Sequence, residues 1–166
     1  MTLERLWAGW RSQYIASSGA DSGDGGCVLC RVLAAADERE ALVVWRGTHS
    51  VVIMNAYPYT SGHVMALPLR HVAELEDLEP DETAELWSTT TTAISAVKAA
   101  YDPGGINMGA NLGRAAGAGV PGHLHVHVVP RWAGDTNFLT TVAEARVLPE
   151  PLSESYDKLQ AAWPVS

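Results

Sequence analysis

The chain has 166 residues, of which 47% are hydrophobic, and it carries a formal net charge of −8. This length fits one folding unit, so we expect residues 1–166 to form a single domain with a buried core. The acidic charge argues against a nucleic-acid-binding surface, which requires a basic patch, although Arg114, Arg131 and backbone N–H groups can still meet the charges of a nucleotide. No apolar run reaches membrane-spanning length and the N-terminus lacks a signal-peptide core, so we expect a cytoplasmic protein with no membrane partner.

The first 26 residues divide into an aromatic arm and a polar loop. Trp7, Trp10 and Tyr14 make the arm too aromatic for a loose tail, so we expect it to pack on the domain or on a partner subunit. Residues 17–26 are small, polar and acidic, which is typical of a mobile loop.

A Cys-x-x-Cys pair, Cys27 and Cys30, follows this loop. In a reducing compartment such a pair is a redox motif, half of a metal site or two buried free thiols, and we expect no structural disulfide. A redox pair normally opens a helix directly after a strand, whereas a Gly/Asp/Ser loop precedes this one. The context therefore favours metal, and a tetrahedral zinc site would need two further ligands.

Three short apolar runs predict strands over Leu42–Trp45, Val51–Met54 and Val64–Leu67. The segment 55–63 between the last two is a turn by composition. His71 comes just after the third strand, and on its own it is compatible with an exposed loop histidine.

The spacing then predicts one long helix over Pro80–Tyr101, with proline in its first turn and residues 102–105 ending it. A strand over Ile106–Asn111 follows, and a second helix is expected over Glu150–Trp163. The expected class is therefore α+β, a mainly antiparallel sheet with one long helix and flanking terminal segments.

Three histidines alternate with apolar residues in the segment 122–131. In a strand this period places the histidines on one face and the apolar residues on the other, and Pro130 is expected to stop the pattern. The histidines are His123, His125 and His127. Such residues can be satisfied polar groups of a half-buried strand, but three in strict alternation favour a metal site or an imidazole catalytic site.

The segment 111–121 just upstream is rich in glycine. Glycine adopts the turns that aim successive backbone N–H groups at one anion. Next to three imidazoles, this loop predicts a phosphate group held against them.

Taken together, these motifs resemble the histidine-triad (HIT) nucleotide hydrolases and transferases. The resemblance rests on Gly105–Phe138, which contains GAGVPGHLHVHVVPRW followed by GDTNF, and this looks most like the branch of the diadenosine tetraphosphate phosphorylases. It implies a HIT-like fold with its core over residues 27–138 and a C-terminal extension over 139–166.

The resemblance also implies a metal site. Zinc-containing relatives, including the galactose-1-phosphate uridylyltransferases, pair the two cysteines with a histidine after the third strand and with the first triad histidine. In this chain the set is Cys27, Cys30, His71 and His123. Four protein ligands leave no open position, so we expect structural zinc and no organic cofactor.

By the same resemblance the triad histidines are the candidate catalytic residues. His125 is expected to attack the α-phosphorus of a nucleotide, with its other ring nitrogen donating to a carboxylate or carbonyl, and His127 to contact the phosphate or protonate the leaving group, with His123 completing the triad. His63 is expected to brace its loop. The candidate substrate-binding residues are Asn55 at the ribose and Asn111, Gly117 and Gly119 at the phosphates.

Three functions remain open at this point. The first is cleavage of a dinucleoside polyphosphate by phosphate or water; the second is phosphoramidate hydrolysis or other tailoring chemistry on the same scaffold. The third is a non-enzymatic module in which all three triad histidines bind zinc, and it leaves Cys27, Cys30 and His71 without a purpose. The partner is expected to be a nucleotide, and the chain to form a homodimer or higher homo-oligomer.

Overall fold

A five-stranded antiparallel sheet is the centre of this computed structural model, which describes residues 26–135 and 149–164. The strands are β1 (Val43–Arg46), β2 (Ser50–Met54), β3 (Val64–Pro68), β4 (Gly105–Ala110) and β5 (Val126–Arg131), in the order β1-β2-β3-β5-β4. The helices are α1 (Val28–Leu33), α2 (Pro80–Tyr101) and α3 (Leu152–Ala162). The predicted α+β fold, an antiparallel sheet with one long helix, is confirmed. The predictions for the N-terminal arm and for most of the GDTNF segment concern residues outside the described ranges.

The long helix α2 has the ends that the sequence predicts. Pro80 occupies its first turn, where a missing N–H costs no helical hydrogen bond. Glu79 and Glu82 form a reciprocal capping box, each side chain accepting the other's backbone N–H. Asp102 adopts a left-handed conformation at φ 43° and ends the helix. Local sequence therefore determines both ends of α2.

Strands β2 and β3 are buried on both faces, as their apolar sequences predict, whereas residues 107–109 of the edge strand β4 are exposed. One face packs against α2 and α3 through a core that includes Leu86, Val97, Val128 and Leu159. The other face packs against α1 through Leu29 and its neighbours. Helix α1 is not predicted by the sequence pattern. Its six residues are too few for a period to be read, and its stability comes from packing on the sheet.

The triad segment differs from the prediction in its extent. The hydrogen-bonded strand begins only at Val126, so His123, which lies at a bend, and His125 both precede it. Pro130 does not stop the strand, which continues to Arg131. Proline is tolerated there because β3 pairs with β5 only as far as Val128, and the Pro130 carbonyl instead accepts a hydrogen bond from Thr60 Oγ1. The apolar alternation itself is confirmed, since Leu124, Val126 and Val128 all join the helix-facing core.

The other boundaries differ from the predictions by one or two residues. Strand β1 starts at Val43 because Leu42 sits at a left-handed φ of 58°, next to an irregular register with β2. Strand β4 ends at Ala110, one residue before its predicted end. Within the described residues, no helix combines the length and the apolar character needed to cross a membrane.

Candidate active site and metal centre

Four side chains from three separate segments meet beside the start of β5. Cys27 caps α1, Cys30 lies in its first turn, His71 follows β3 and His123 precedes β5. Their ligand atoms all lie within 4.8 Å of one another. His123 Nδ1 is 3.6 Å from Cys27 Sγ and 3.5 Å from Cys30 Sγ, and His71 Nδ1 is 3.4 Å from Cys30 Sγ. The structure thus brings together all four predicted ligands, here called the metal cluster.

The hydrogen bonds of His123 fit metal binding. Its Nε2 lies 2.9 Å from the Pro68 carbonyl, which can only accept, so Nε2 carries the proton and Nδ1 presents its lone pair to the thiols. A carbonyl partner on the second ring nitrogen is the usual way in which a metal-ligating histidine is oriented. Burial lowers the pKa of His123, which keeps the ring neutral. Two thiols and two such imidazoles are a donor set that zinc prefers.

His125 is oriented by the residue two positions before it. Its Nδ1 lies 2.7 Å from the backbone carbonyl of His123, so Nδ1 is the donor in this bond and Nε2 keeps its lone pair. The His125 side chain is buried, and it is not one of the four metal-cluster residues. Its ring packs edge-on against His127 at a centroid distance of 5.0 Å.

A directed series of hydrogen bonds ends at His127. The Tyr59 backbone N–H can only donate, and it lies 3.1 Å from His63 Nδ1, so neutral His63 carries its proton on Nε2. That Nε2 lies 2.9 Å from His127 Nδ1 and donates to it, which leaves the proton of neutral His127 on Nε2. We call the series from Tyr59 N–H through His63 to His127 the proton chain. It makes His127 Nε2 a donor.

The electrostatic environment keeps His127 neutral. Burial, and then repulsion from the neighbouring His125, lowers the pKa of His127 to about 4. The tautomer set by the proton chain is therefore the form present near neutral pH.

The turn between β2 and β3 forms one side of the site. Asn55 is half-buried at its start, and its Oδ1 accepts the backbone N–H of Tyr57. His63 closes the turn: its carbonyl accepts the Asn55 N–H, and its N–H donates to Thr60. His63 thus braces the turn as expected, but its bond to His127 was missed. The available signal was its position at the start of a strand that pairs with the triad strand.

The glycine-rich loop leads from β4 directly into the metal cluster. Asn111, Gly117 and Gly119 are half-buried along it, with Gly117 at a left-handed φ of 92°. At the end of the loop, Gly122 lies against the His71 ring, whose Cε1 is 3.6 Å from the position a Cβ would take. The three predicted phosphate-contacting residues therefore lie on one segment that ends at the triad.

Arg131, which the sequence offers as a partner for an anionic ligand, is bonded to neighbouring side chains in the fold. Its guanidinium donates to both carboxylate oxygens of Asp135, at 2.6 and 2.7 Å, and to Asn107 Oδ1 at 2.8 Å. These bonds tie the end of β5 to β4 and to the following turn. The Arg131 side chain is thus bonded within the fold, to Asp135 and Asn107.

Comparison with known proteins identifies the family of this arrangement. The family model described as the HIT domain matches residues 36–134, which is more than half of the chain. A Mycobacterium tuberculosis protein named AP-4-A phosphorylase is 41% identical over 166 aligned residues, covering 97% of this chain and 85% of that protein. The asymmetrical bis(5'-nucleosyl)-tetraphosphatase of Schizosaccharomyces pombe is 33% identical over 93 residues, covering 56% and 50%.

A solved structure shares the fold as well. A zinc-bound histidine triad family protein from Mycobacterium smegmatis superposes with a TM-score of 0.66 and 27% sequence identity. The superposition covers 83% of this chain and 93% of that protein.

Proposed function

Because this chain belongs to the HIT domain family, we propose that it cleaves a dinucleoside polyphosphate of the diadenosine tetraphosphate type by nucleotidyl transfer through His125. The observation that carries the proposal is the bond from His125 Nδ1 to the His123 carbonyl. It places a proton of the ring on Nδ1, so Nε2 is the nitrogen left to attack, and His125 is not among the metal-cluster residues. The relative at 41% identity, a phosphorylase of diadenosine tetraphosphate by name, supports the substrate class.

In the first displacement, His125 Nε2 attacks the α-phosphorus of the substrate. A nitrogen–phosphorus bond forms while the bond from phosphorus to the bridging oxygen breaks, and a nucleoside triphosphate leaves. His127 Nε2–H, oriented by the proton chain, donates a hydrogen bond to that bridging oxygen as negative charge develops there, and the triphosphate leaves as an anion. The nucleotidyl group is then held covalently on His125.

In the second displacement, an acceptor oxygen attacks the same phosphorus and the bond to His125 breaks, which returns the lone pair to Nε2. Inorganic phosphate as acceptor gives a nucleoside diphosphate, and water gives a nucleoside monophosphate. We propose inorganic phosphate, in keeping with the name of the most extensively aligned relative above. His127 keeps its Nε2 proton in both displacements and stabilises the charge on the phosphate oxygens by hydrogen bonding.

The substrate is held from two sides. We assign Asn55 to the ribose hydroxyls, because it lies half-buried at the start of the turn that His63 closes. Asn111 and the N–H groups at Gly117 and Gly119 are assigned to the phosphate oxygens, where each donor contributes roughly 3 kcal/mol as charge develops. His123 serves the reaction through its carbonyl, which orients His125.

The metal cluster is proposed to hold zinc in a structural role. Cys27, Cys30, His71 and His123 would fill all four positions of a tetrahedral ion, so the ion would supply a crosslink and no coordination site for substrate. This crosslink would join α1 to the segment after β3, through His71, and to the start of the triad, through His123. The zinc-bound relative of the same fold supports this choice of metal.

The deciding experiment offers diadenosine tetraphosphate to the purified protein with and without inorganic phosphate. We expect ADP and ATP to form in a phosphate-dependent reaction, and mass spectrometry of the quenched enzyme to find an adenylyl group on His125. His125→Ala should keep about one zinc per chain and lose turnover. Turnover that survives in His125→Ala, with no adduct on the parent protein, would refute the mechanism.

The alternative functions give different results in the same assays. A phosphoramidase would cleave an adenosine phosphoramidate and spare the tetraphosphate. A non-enzymatic module with zinc on all three triad histidines would lose its metal in His125→Ala; against it, His125 points its Nδ1 at a carbonyl and is no part of the metal cluster. The homo-oligomer remains a prediction, and light scattering measures it.

A further inference from the structure

The Tyr59 side chain contacts both histidines of the proton chain. Its ring centroid lies 4.6 Å from that of His63, at an interplanar angle of 43°. The same ring lies 6.0 Å from the His127 ring and is nearly parallel to it, at 26°. Since the two imidazole centroids are 5.1 Å apart, the three rings form a compact triangle around the His63–His127 bond. Tyr59 thus contacts His63 twice, through its backbone N–H and through its ring.

The three rings differ in their access to solvent. His63 is fully buried and His127 is half-buried, whereas Tyr59 is 44% exposed, so Tyr59 has one part in water and another against the imidazoles. In the sheet, His127 lies opposite buried Met65 of β3 and opposite Gly109 of β4. A Cβ at Gly109 would have no described atom within 4 Å. The side of His127 toward β4 is therefore open to a substrate, and the side toward β3 holds the bond to His63.

Water is the natural competitor for the His63–His127 bond. His63 Nε2–H can donate to a water oxygen, and His127 Nδ1 can accept from a water hydrogen. A bridging water would satisfy both nitrogens, but it would separate the rings and loosen the angle between them. The direct contact at 2.9 Å is favoured where an apolar surface keeps water out of the pair.

We propose that the Tyr59 ring is a positioning group for His127: it keeps water out of the His63–His127 bond, so that His63 holds the His127 ring with Nε2–H directed at the substrate. The inference rests on the proposed function for the role of His127 in the reaction, whereas the exclusion of water needs no substrate. The apolar face of the ring does this, so the phenol hydroxyl is not required. A tyrosine that only packed the turn would leave the nitrogen–nitrogen bond in place when it is truncated.

The first test measures this bond by NMR at about pH 8, where imidazoles are neutral. In the ¹⁵N-labelled parent, a scalar coupling across the hydrogen bond should connect His63 Nε2 with His127 Nδ1, and the His63 Nε2 proton should exchange slowly with water. In Tyr59→Ala the coupling should be lost and the proton should exchange at least about tenfold faster. Tyr59→Phe keeps the ring and should keep both signals. A coupling that survives in Tyr59→Ala, or one that is lost in Tyr59→Phe, would overturn the proposal.

Tyr57→Ala is the matched control for the turn. Tyr57 lies two residues before Tyr59 and is 76% exposed, and its backbone N–H bond to Asn55 survives the substitution. This variant should keep the coupling and the slow exchange of the parent. Equal losses in Tyr57→Ala and Tyr59→Ala would show that the turn as a whole, rather than the Tyr59 ring, protects the pair.

A second variant keeps the test informative if Tyr59→Ala does not fold. Tyr59→Gln retains much of the side-chain length but replaces the apolar face by an amide that water can reach, so it should also lose the coupling. Retention of the coupling in a folded Tyr59→Gln would contradict the exclusion of water by the ring.

A kinetic measurement connects the bond to the reaction. In single turnover, Tyr59→Ala should form the nucleotidyl adduct roughly 10- to 100-fold more slowly, while the dissociation constant for the nucleotide stays within about twofold. Tyr59→Phe should restore most of the rate. A loss confined to nucleotide affinity would refute positioning, as would an unchanged adduct rate in Tyr59→Ala. If the parent itself forms no adduct while the NMR results hold, the proposed function fails and the exclusion of water by Tyr59 stands.

Discussion

His63 and His127 meet nitrogen to nitrogen, with His63 Nε2 2.9 Å from His127 Nδ1. The contact follows from strand register: Met65 of β3 lies opposite His127 of β5, and His63 is two residues back on the same face. The Tyr59 N–H fixes the tautomer of neutral His63, and His63 in turn fixes the tautomer of neutral His127. One backbone donor therefore determines which nitrogen carries the proton in both rings.

The buried His127 should make stability depend on pH. Its pKa is about 4 in the fold and about 6.5 in an unfolded chain, so below pH 6.5 the unfolded state binds a proton that the folded state does not. The free energy of unfolding should therefore fall as pH drops from about 6.5 to about 4, by up to roughly 3 kcal/mol. Urea unfolding across this range measures the slope.

The control for this slope is His127→Gln, whose amide does not titrate. At equal metal content, its free energy of unfolding should depend less steeply on pH than that of the parent, by the amount that corresponds to about one bound proton. Identical slopes in the two proteins would show that His127 is not the titrating group.

Gly62 combines a left-handed backbone with a close approach. Its φ is 77°, and a Cβ there would lie 2.5 Å from Cε2 of Tyr101. Gly62→Ala should therefore lower the free energy of unfolding by roughly 2–4 kcal/mol.

Two other glycines separate these causes. Gly134 has the same φ of 77° with nothing within 4 Å of a Cβ, so Gly134→Ala should cost about 1 kcal/mol from backbone strain alone. Gly109 has neither feature, and Gly109→Ala should leave stability nearly unchanged. Equal losses at Gly62 and Gly134 would remove the Tyr101 contact from the explanation.

Ser61 carries the one buried side-chain oxygen without a hydrogen-bond partner in the described part of the chain. Burying an unsatisfied hydroxyl costs about 1–3 kcal/mol, so Ser61→Ala should raise the free energy of unfolding by about 1 kcal/mol. Ser155→Ala is the matched control: its Oγ donates to Glu150 at 2.6 Å, and its loss should destabilise. Thermal melts of both variants decide the point, and a destabilised Ser61→Ala would reveal a partner for that hydroxyl.

Glu82 links the start of α2 to the segment before His71. Its carboxylate accepts two bonds from the Arg70 guanidinium, at 2.8 and 2.6 Å, and one from the Glu79 backbone N–H. Arg70 first, then that N–H, lowers the pKa of Glu82 to about 2. The lowered pKa adds stability above about pH 4.5 that is lost as pH falls toward 2. Glu82→Gln should cost about 2 kcal/mol at neutral pH, measured by urea unfolding.

The exposed carboxylate of Glu76 provides the comparison for Glu82. Glu76→Gln should change stability by less than about 0.5 kcal/mol, because a surface substitution away from such contacts has little effect. Equal effects at the two positions would mean that the bonds to Arg70 contribute nothing.

Sequence alone determined the elements whose causes are local. The ends of α2 follow from Pro80 and the capping residues, and the core-facing alternation of Leu124, Val126 and Val128 follows from the two-residue period of extended chain. The family and the four metal-cluster residues could also be predicted, because the cysteines and histidines and the spacing between them can be read directly from the sequence.

Tertiary structure decided what depends on contacts between distant segments. Helix α1 exists through packing on the sheet, and the His63–His127 bond exists through the register of β3 with β5, a pairing that no local pattern encodes. Spacing along the chain identifies which groups can do chemistry, but proton positions and orientation follow from hydrogen bonds that only the folded chain forms.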